Sequence, residues 1–562
     1  MRTEKTNFEL YLGNYKNDVD NTIKKIAADK VIERIWEKDY TLWSDKPDEI
    51  TNRLGWLKSP EVTLAALMEI NVFVEQVKAD GFTSALLLGM GGSSLAPEVF
   101  SLIFGTWQGF LDLHVLDSTD PGAVLEFDRK LDPAKTLFIV STKSGGTVET
   151  FSFMKYFYNK TLQKVGKEKV GNHFVAITDP GSGLVDTANQ LKFRKIFLND
   201  PNIGGRYSAL SFFGMVPAAL IGMDIKQLLD RAMMIAADPR TGAELGAVMG
   251  ELAEQGRDKV TFITPSNVVF FGAWVEQLIA ESTGKNGKGI LPVEGEELLA
   301  PEYYSNDRLF VYMHRNGDTS VDAKVEALKK AGHPVVEIIL SDLYDFGKEF
   351  FRWEIATAVA GWRIGIQPFD QPNVESAKKL ARKMVDAYKS AGKLPDESPA
   401  FTDAGITVYG KTESRNISDT LTKFLARTQT NNKPRSYVSL QAYVKPDTDT
   451  RVALRRLRAK IQEKYKVAVT VGYGPRFLHS TGQLHKGDAG NGLFIQFTSE
   501  MPEDAKIPDE AGSDKSSISF GVLKEAQALG DRQALLDNKR EVLKFALGKN
   551  VADHINKIAS MI

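Results

Sequence analysis

Thr83-Ser-Ala-Leu-Leu-Leu88-Gly89-Met-Gly91-Gly92-Ser93-Ser94-Leu-Ala-Pro97 is a short apolar run that breaks at a glycine turn and then opens into a helix. The run reads as a buried strand. Glycines let the backbone turn its N–H groups toward one point, and the helix N-terminus adds partial positive charge there. Ser93 and Ser94 can cap that helix or donate to an anion. Outward from this stretch, short buried runs keep alternating with helical ones. Expected strands are Ser84–Leu88, Leu113–Leu116, Leu137–Val140, Phe174–Ile177 and Lys195–Leu198. That alternation marks a doubly wound parallel sheet, so the fold class is α/β. Ligands of such sheets bind at the carboxyl ends of the strands, where the Gly89 turn lies.

A second turn of this kind follows in Thr136-Leu-Phe-Ile-Val140-Ser141-Thr142-Lys143-Ser144-Gly145-Gly146-Thr147-Val-Glu149-Thr150. Ser141, Thr142, Ser144 and Thr147 bring hydroxyls, and free N–H groups lie nearby. Together they suit the oxygens of a phosphate. A helix cap alone would explain one such turn; two in one domain favour an anion site. Asn202-Ile-Gly204-Gly205-Arg206-Tyr207-Ser208 then offers an arginine whose planar fork is always charged and suits a developing oxyanion. In Trp274-Val-Glu-Gln277-Leu-Ile-Ala-Glu281-Ser-Thr-Gly284-Lys285, Gln277 and Glu281 share one helix face. A partly desolvated carboxylate there suits a general base. In Phe369-Asp370-Gln371-Pro372-Asn-Val-Glu375-Ser-Ala-Lys378, Pro372 fits a first helical position. Gln371 and Lys378 lie about two turns apart, so they can face one way.

In this order the five segments resemble the phosphoglucose isomerase family. The resemblance spans roughly residues 55 to 390. It implies that Ser93, Thr142, Lys143, Ser144 and Thr147 hold a sugar phosphate, and that Gln277 and Gln371 hold sugar hydroxyls. It implies Glu281 as the base, Arg206 as the group steadying the enediolate, Lys378 as an aid to ring opening, and Glu149 as the orienter of a histidine. The implied substrate is a hexose 6-phosphate. The implied reaction is reversible aldose–ketose isomerisation of glucose 6-phosphate and fructose 6-phosphate through a cis-enediol, a step of glycolysis and gluconeogenesis. No cofactor and no metal are expected. Gly145-Gly146 stand where many relatives have an aromatic residue and a threonine, so backbone N–H groups are expected to replace a hydroxyl.

The last third departs from most relatives, in which the segment from Gln371 to Lys378 falls near the chain end. Of the seven histidines, only His314 and His333 lie between Glu281 and Gln371, and neither sits in a family motif. The stretch Gly472-Tyr-Gly474-Pro475-Arg476-Phe-Leu-His479-Ser480-Thr481-Gly482-Gln483-Leu484-His485-Lys486-Gly487 is similar to the isomerase half of fused transaldolase/phosphoglucose isomerase proteins. Arg34 through Trp56 also looks like the start of that half. No transaldolase half is present in this chain. Gln483-Leu484-His485 echoes the family's ring-opening site, so His485 is the favoured histidine and His479 the second.

The expected layout is a helical segment at 1–60, a sugar-isomerase (SIS-type) unit with the phosphate site at 61–240, and a second unit with the catalytic Glu at 241–400. A C-terminal α+β domain at 401–562 would supply the histidine. Asn431 and Asn432 mark a boundary near its start. Its expected elements are strands Tyr437–Val444, Val467–Val471 and Leu493–Phe497, a helix Thr450–Tyr465, and a tail helix from 532 to 561. The basic run Arg451, Arg455, Arg456, Arg458 and Lys460 reads as a solvated helix face.

The chain has 562 residues, 43% hydrophobic and 25% charged, with net charge −1. That is ordinary globular usage with no global basic footprint for nucleic acid. Zero cysteines exclude disulfides, thiolate catalysis and a thiol-dependent amidotransferase. No stretch has the length of a membrane span and the start lacks a signal-peptide core, so the cytoplasm is expected. A monomer is favoured over a homodimer. The competing functions are an isomerase that also takes mannose 6-phosphate and a non-catalytic phosphosugar-binding regulator.

Overall fold

Five parallel strands build the first sheet, in the order Asp112–Leu116, Ser84–Gly89, Thr136–Ser141, Phe174–Thr178, Lys195–Leu198. All five expected strands are present, each within one residue of its expected ends. Side chains alternate between the faces of a strand. Accordingly Leu86, Leu88, Phe138 and Val140 pack into one buried cluster, and Ala85, Leu87, Leu137 and Ile139 into another. The first strand in sequence has its successor on one side and Thr136–Ser141 on the other. That is the topological switch point, and the Gly89 and Thr142 turns both leave the sheet there.

The structure, a computed structural model, describes residues 7–265, 268–429 and 436–562. The expected boundary at Asn431 and Asn432 lies outside the described residues.

A second five-stranded sheet runs Phe8–Tyr11, Val335–Leu340, Arg308–Arg315, Lys259–Ile263, Leu291–Val293. Four of its strands are parallel and Phe8–Tyr11 pairs antiparallel at the edge. The opening segment, expected as helical, therefore begins with a strand of the second unit before its helices Lys16–Ala28 and Val31–Trp36. Trp36 meets Phe351, and Trp43 meets Phe369 and donates to the Ala358 carbonyl at 3.0 Å, so both tryptophans anchor on the second unit. The two units share one large core: helices Ile225–Ala237 and Arg240–Glu254 pack on Phe346–Ile364.

The C-terminal third is a six-stranded sheet in the order Phe401–Asp403, Ile406–Tyr409, Glu541–Ala546, Gly492–Thr498, Tyr437–Tyr443, Ala468–Tyr473. Its last four strands are parallel, while Ile406–Tyr409 runs antiparallel to both of its neighbours, Phe401–Asp403 and Glu541–Ala546. The domain expected as α+β thus carries a parallel α/β centre. Helices Thr448–Tyr465 and Val551–Ser560 lie against each other over one buried core. The tail, expected as one helix, is two: Phe520–Asp537 and Val551–Ser560, with strand Glu541–Ala546 between them. Lys539, at φ 58°, turns the chain back between helix and strand. Helix Phe520–Asp537 packs along Val374–Ala391, which fastens this third unit to the other two.

Candidate active site

Helix Phe271–Thr283 is held by its apolar face, with Phe271, Trp274, Val275, Leu278 and Ile279 all buried. Glu281 leaves this core with 12% of its side chain exposed, so the carboxylate is largely dehydrated yet open to a ligand. Gln277, one turn earlier, donates from Nε2 to Glu281 Oε2 at 3.0 Å and to the His479 carbonyl at 2.8 Å. Its Oε1 is buried without a hydrogen-bond partner among the described residues, so the acceptor side of the amide stays unspent. Its donors are spent on holding the base and the C-terminal loop. At the end of the helix, a Cβ on Gly284 would lie 2.3 Å from the Leu484 Cα, so the same loop demands a glycine there.

Arg206 is 3% exposed and its fork is fully used. Nε donates to Ser282 Oγ at 2.7 Å, Nη1 to Gln371 Oε1 at 2.9 Å, and Nη2 to the Pro368 and Asp370 carbonyls at 2.7 and 3.1 Å. Nη1 also lies 3.5 Å from Glu281 Oε1. A permanent positive charge is thereby fixed beside the carboxylate. Lys285, also buried, donates to the Asp370 carboxylate and carbonyl at 2.6 Å each. Burial, helped by the Arg206 charge and opposed by Asp370, pushes the Lys285 ammonium down to about 8.

At the switch point, Thr142 and Thr147 hydroxyls stand 2.9 Å apart. Thr147 caps helix Val148–Val165 by position but makes no side-chain bond to it. Ser144 is exposed and accepts from the Gly146 N–H at 3.4 Å. Ser93 is buried in the neighbouring turn, and its carbonyl accepts from Ser141 Oγ at 3.0 Å, which ties the two turns together. Lys143 is the exception. Its ammonium pairs with Asp179 and donates to the Pro201 carbonyl at 2.8 Å. That charge is already neutralised, so Lys143 braces the turn instead of offering a free cation to a phosphate.

The structure places the two candidate histidines in different surroundings. His485 is 1% exposed among the rings of Tyr437, Phe477 and Phe494, with Ser439 and Gln441 at its nitrogens. Burial, then the charges of Lys486 and Arg540, holds it well below the ordinary histidine range, so it stays neutral and inside the core. His479 instead places Nε2 3.1 Å from Glu149 Oε1. A Cβ on Gly91, which has φ 53°, would lie 2.8 Å from the His479 carbonyl, so this loop rests directly on the first glycine turn. Burial raises the Glu149 proton affinity, but the charge and hydrogen bond of His479, with Lys378 further off, outweigh it and hold the carboxyl below its usual range. Lys378 is partly exposed and 3.3 Å from Glu375.

One residue at the site carried no sequence signal, and two from the C-terminal motif take structural parts the sequence did not assign. Gln527, from helix Phe520–Asp537, donates to Glu149 Oε1 at 2.7 Å and accepts from Thr119 Oγ1 at 2.7 Å. Gln483 donates to the Gly284 carbonyl at 2.9 Å and to Asn373 Oδ1 at 2.8 Å. Arg476 binds Glu98 and lies 3.1 Å from Asp117, anchoring the short helix Arg476–His479 to the first unit. Among the described residues no group of three or more His, Cys, Asp or Glu is placed to hold a metal ion. No helix among them is long and apolar enough to cross a membrane.

Two doubly wound units with a shared core and a hydroxyl-lined turn at the switch point define a phosphosugar-isomerase fold. The phosphoglucose isomerase family model matches residues 66–244. A glucose-6-phosphate isomerase of Synechococcus sp. (strain JA-3-3Ab) is 33% identical over 403 residues, covering 59% of this chain and 75% of that protein. One from Rubrobacter xylanophilus is 28% identical over 423 residues, covering 65% and 96%. The crystal structure of a glucose-6-phosphate isomerase from Chlamydia trachomatis superposes with a TM-score of 0.57 at 19% identity, covering 66% of this chain and 86% of that one. The chain belongs to the phosphoglucose isomerase family.

Proposed function

We propose that this protein interconverts glucose 6-phosphate and fructose 6-phosphate through a cis-enediol. The observation that carries the proposal is the Glu281 carboxylate, gripped by Gln277 at 3.0 Å and set 3.5 Å from the Arg206 fork at a site open to a ligand. A non-catalytic phosphosugar regulator has no use for that pair.

In this reading Ser93, Thr142, Ser144 and Thr147 hold the phosphate with the N-terminus of helix Val148–Val165. Fixing that remote end positions the reacting carbons. His479, oriented by Glu149 and assisted by Lys378, moves a proton between the ring oxygen and the anomeric hydroxyl, and the ring opens. Glu281 then takes the proton from C2 and returns it to C1. Arg206 offsets the charge on the enediolate oxygens without giving up a proton of its own. Gln371 accepts from Arg206 through its oxygen, which leaves its amide N–H groups to meet a sugar hydroxyl.

One chain brings His479 to Glu149 and, through Gln277, ties the His479 carbonyl to Glu281, so a monomer is the proposed working unit, acting in the cytoplasm. Mixing Glu281→Gln with His479→Ala chains would then restore no activity. The defining test is isomerisation of fructose 6-phosphate in deuterated water. Transfer by a single carboxylate base that exchanges with solvent places deuterium at C2 of the glucose 6-phosphate formed. Product formed without any turnover-linked label, or no product at all, would oppose this mechanism.

A further inference from the structure

A cavity of about 1470 Å³ opens where the three units meet, on the reverse side of the wall that carries the active site. Glu276 and Ser480 line it, and each is the immediate neighbour of a site residue, Gln277 and His479. Ser480 Oγ lies 3.5 Å from Glu276 Oε1, so the two halves of this wall touch. Arg476, on the same short helix as His479, also lines the cavity.

The opposite wall is helix Thr448–Tyr465, whose basic run reads from sequence as a solvated face. The structure divides that run. Arg458 is buried and donates to the Glu294 carbonyl at 2.6 Å. Arg451, Arg455 and Arg456 are exposed as expected, line the cavity and, among the described residues, take part in no ion pair or side-chain hydrogen bond. Arg451 and Arg455 are one helical turn apart and so face the same way. The Tyr473 hydroxyl, in the same lining, is buried with no hydrogen-bond partner. A buried hydroxyl without a partner costs stability unless something fills the need. The rest of the lining is mixed: Leu102, Phe270 and Val452 are apolar and substantially exposed, Glu294 and Glu297 are acidic, and the carboxylates of Glu98 and Asp117 pair with Arg476, Glu126 with Lys445 and Glu296 with Arg308. Guanidinium forks and an unpaired hydroxyl in one cavity lining suit a phosphate group, since arginine binds phosphate oxygens two at a time.

We propose that this cavity is an effector site for a small phosphorylated metabolite, held by Arg451, Arg455 and Arg456, that acts on turnover through Ser480 and Glu276. Only the regulatory half of the proposal rests on the isomerase reading; the binding half does not. The test is calorimetric titration of the full chain with pyrophosphate, with the active site kept saturated by fructose 6-phosphate. One pyrophosphate should bind per chain. Losing two charged contacts in the Arg451→Glu/Arg455→Glu variant should weaken it at least about tenfold. The Arg451→Lys/Arg455→Lys variant, which keeps the charge, should retain most of the affinity. Turnover without pyrophosphate should be the same in all three forms, and pyrophosphate should change the saturated rate of the wild type and the lysine variant but not of the glutamate variant. Equal binding to wild type and the glutamate variant, or binding to neither, overturns the site. Binding that leaves the saturated rate untouched overturns its regulatory role.

Discussion

The hydroxyl turn at Ser141–Thr147 and the histidine loop at Gly472–Gly487 serve opposite ends of the same site, and they are assembled in opposite ways. The turn is local. Its hydroxyls lie within seven residues, its shape follows from glycines, and the strand before it delivers it to the switch point. The loop is non-local. His479 meets Glu149, 330 positions earlier in the chain, and Gln527, from another helix, donates to the same carboxylate oxygen. A local device can be weakened one hydroxyl at a time. A non-local one fails at whichever docking contact is cut.

The largest effect is expected where both regions converge. Glu281→Gln should lower kcat by about 10²–10⁴-fold, the usual contribution of a general base, with KM nearly unchanged. Coupled-dehydrogenase kinetics measure it, and retention of more than about a tenth of the rate would remove Glu281 as the base.

Cutting the non-local contact comes next. Gln527→Leu removes a hydrogen bond to the ionised form of Glu149, which should raise the carboxyl's proton affinity. The acid limb of kcat/KM should then move to higher pH, with kcat down about tenfold and KM little altered. A merely structural glutamine would lower the melting temperature and leave the pH profile in place. The sign for stability follows from the lowered Glu149 value. Its contribution is fully present above the ordinary carboxylate pKa of about 4.3 and is lost as pH falls through the lower folded value. The Gln527→Leu penalty should accordingly shrink in acid below that range.

The smallest effects belong to the turn, and they separate its members. Thr147→Val removes one donor to a charged phosphate and should raise KM about tenfold, leaving kcat intact. Lys143→Met should change KM by less than about threefold, because the ammonium is already neutralised by Asp179, and a shielded charge contributes little to a distant anion. A larger KM effect for Lys143 than for Thr147 would reverse their assignments.

The same contrast explains what was legible in the sequence. The central strands of the first unit are apolar runs buried on both faces, so Ser84–Gly89 and Thr136–Ser141 stand out residue by residue. The carboxylate, the arginine and the threonines sit beside glycines whose spacing is itself a signal. The tail was misread because a short turn at Asn538-Lys539 and the strand Glu541–Ala546 interrupt what looks like one helical stretch. The two histidines part for a physical reason. Gln483-Leu484-His485 has the right local pattern, but Tyr437 and Phe494 come from other strands to bury it. Lys143 matched its motif, and Asp179, 36 residues on, took its charge. Gln527 lies in the middle of a helix with no motif around it. Partners brought by tertiary packing leave no periodic trace along the chain.

The account rests most heavily on which histidine the C-terminal unit supplies, and side-by-side turnover of His479→Ala and His485→Ala, with melting temperatures, tests it directly. The prediction is a loss of about 10²-fold or more in kcat for His479→Ala at a nearly native melting temperature. His485→Ala should keep most of its rate in the folded fraction but melt early, having lost about 2–4 kcal/mol of core packing. A His479→Ala protein that turns over normally, beside a folded but inactive His485→Ala, would contradict the account.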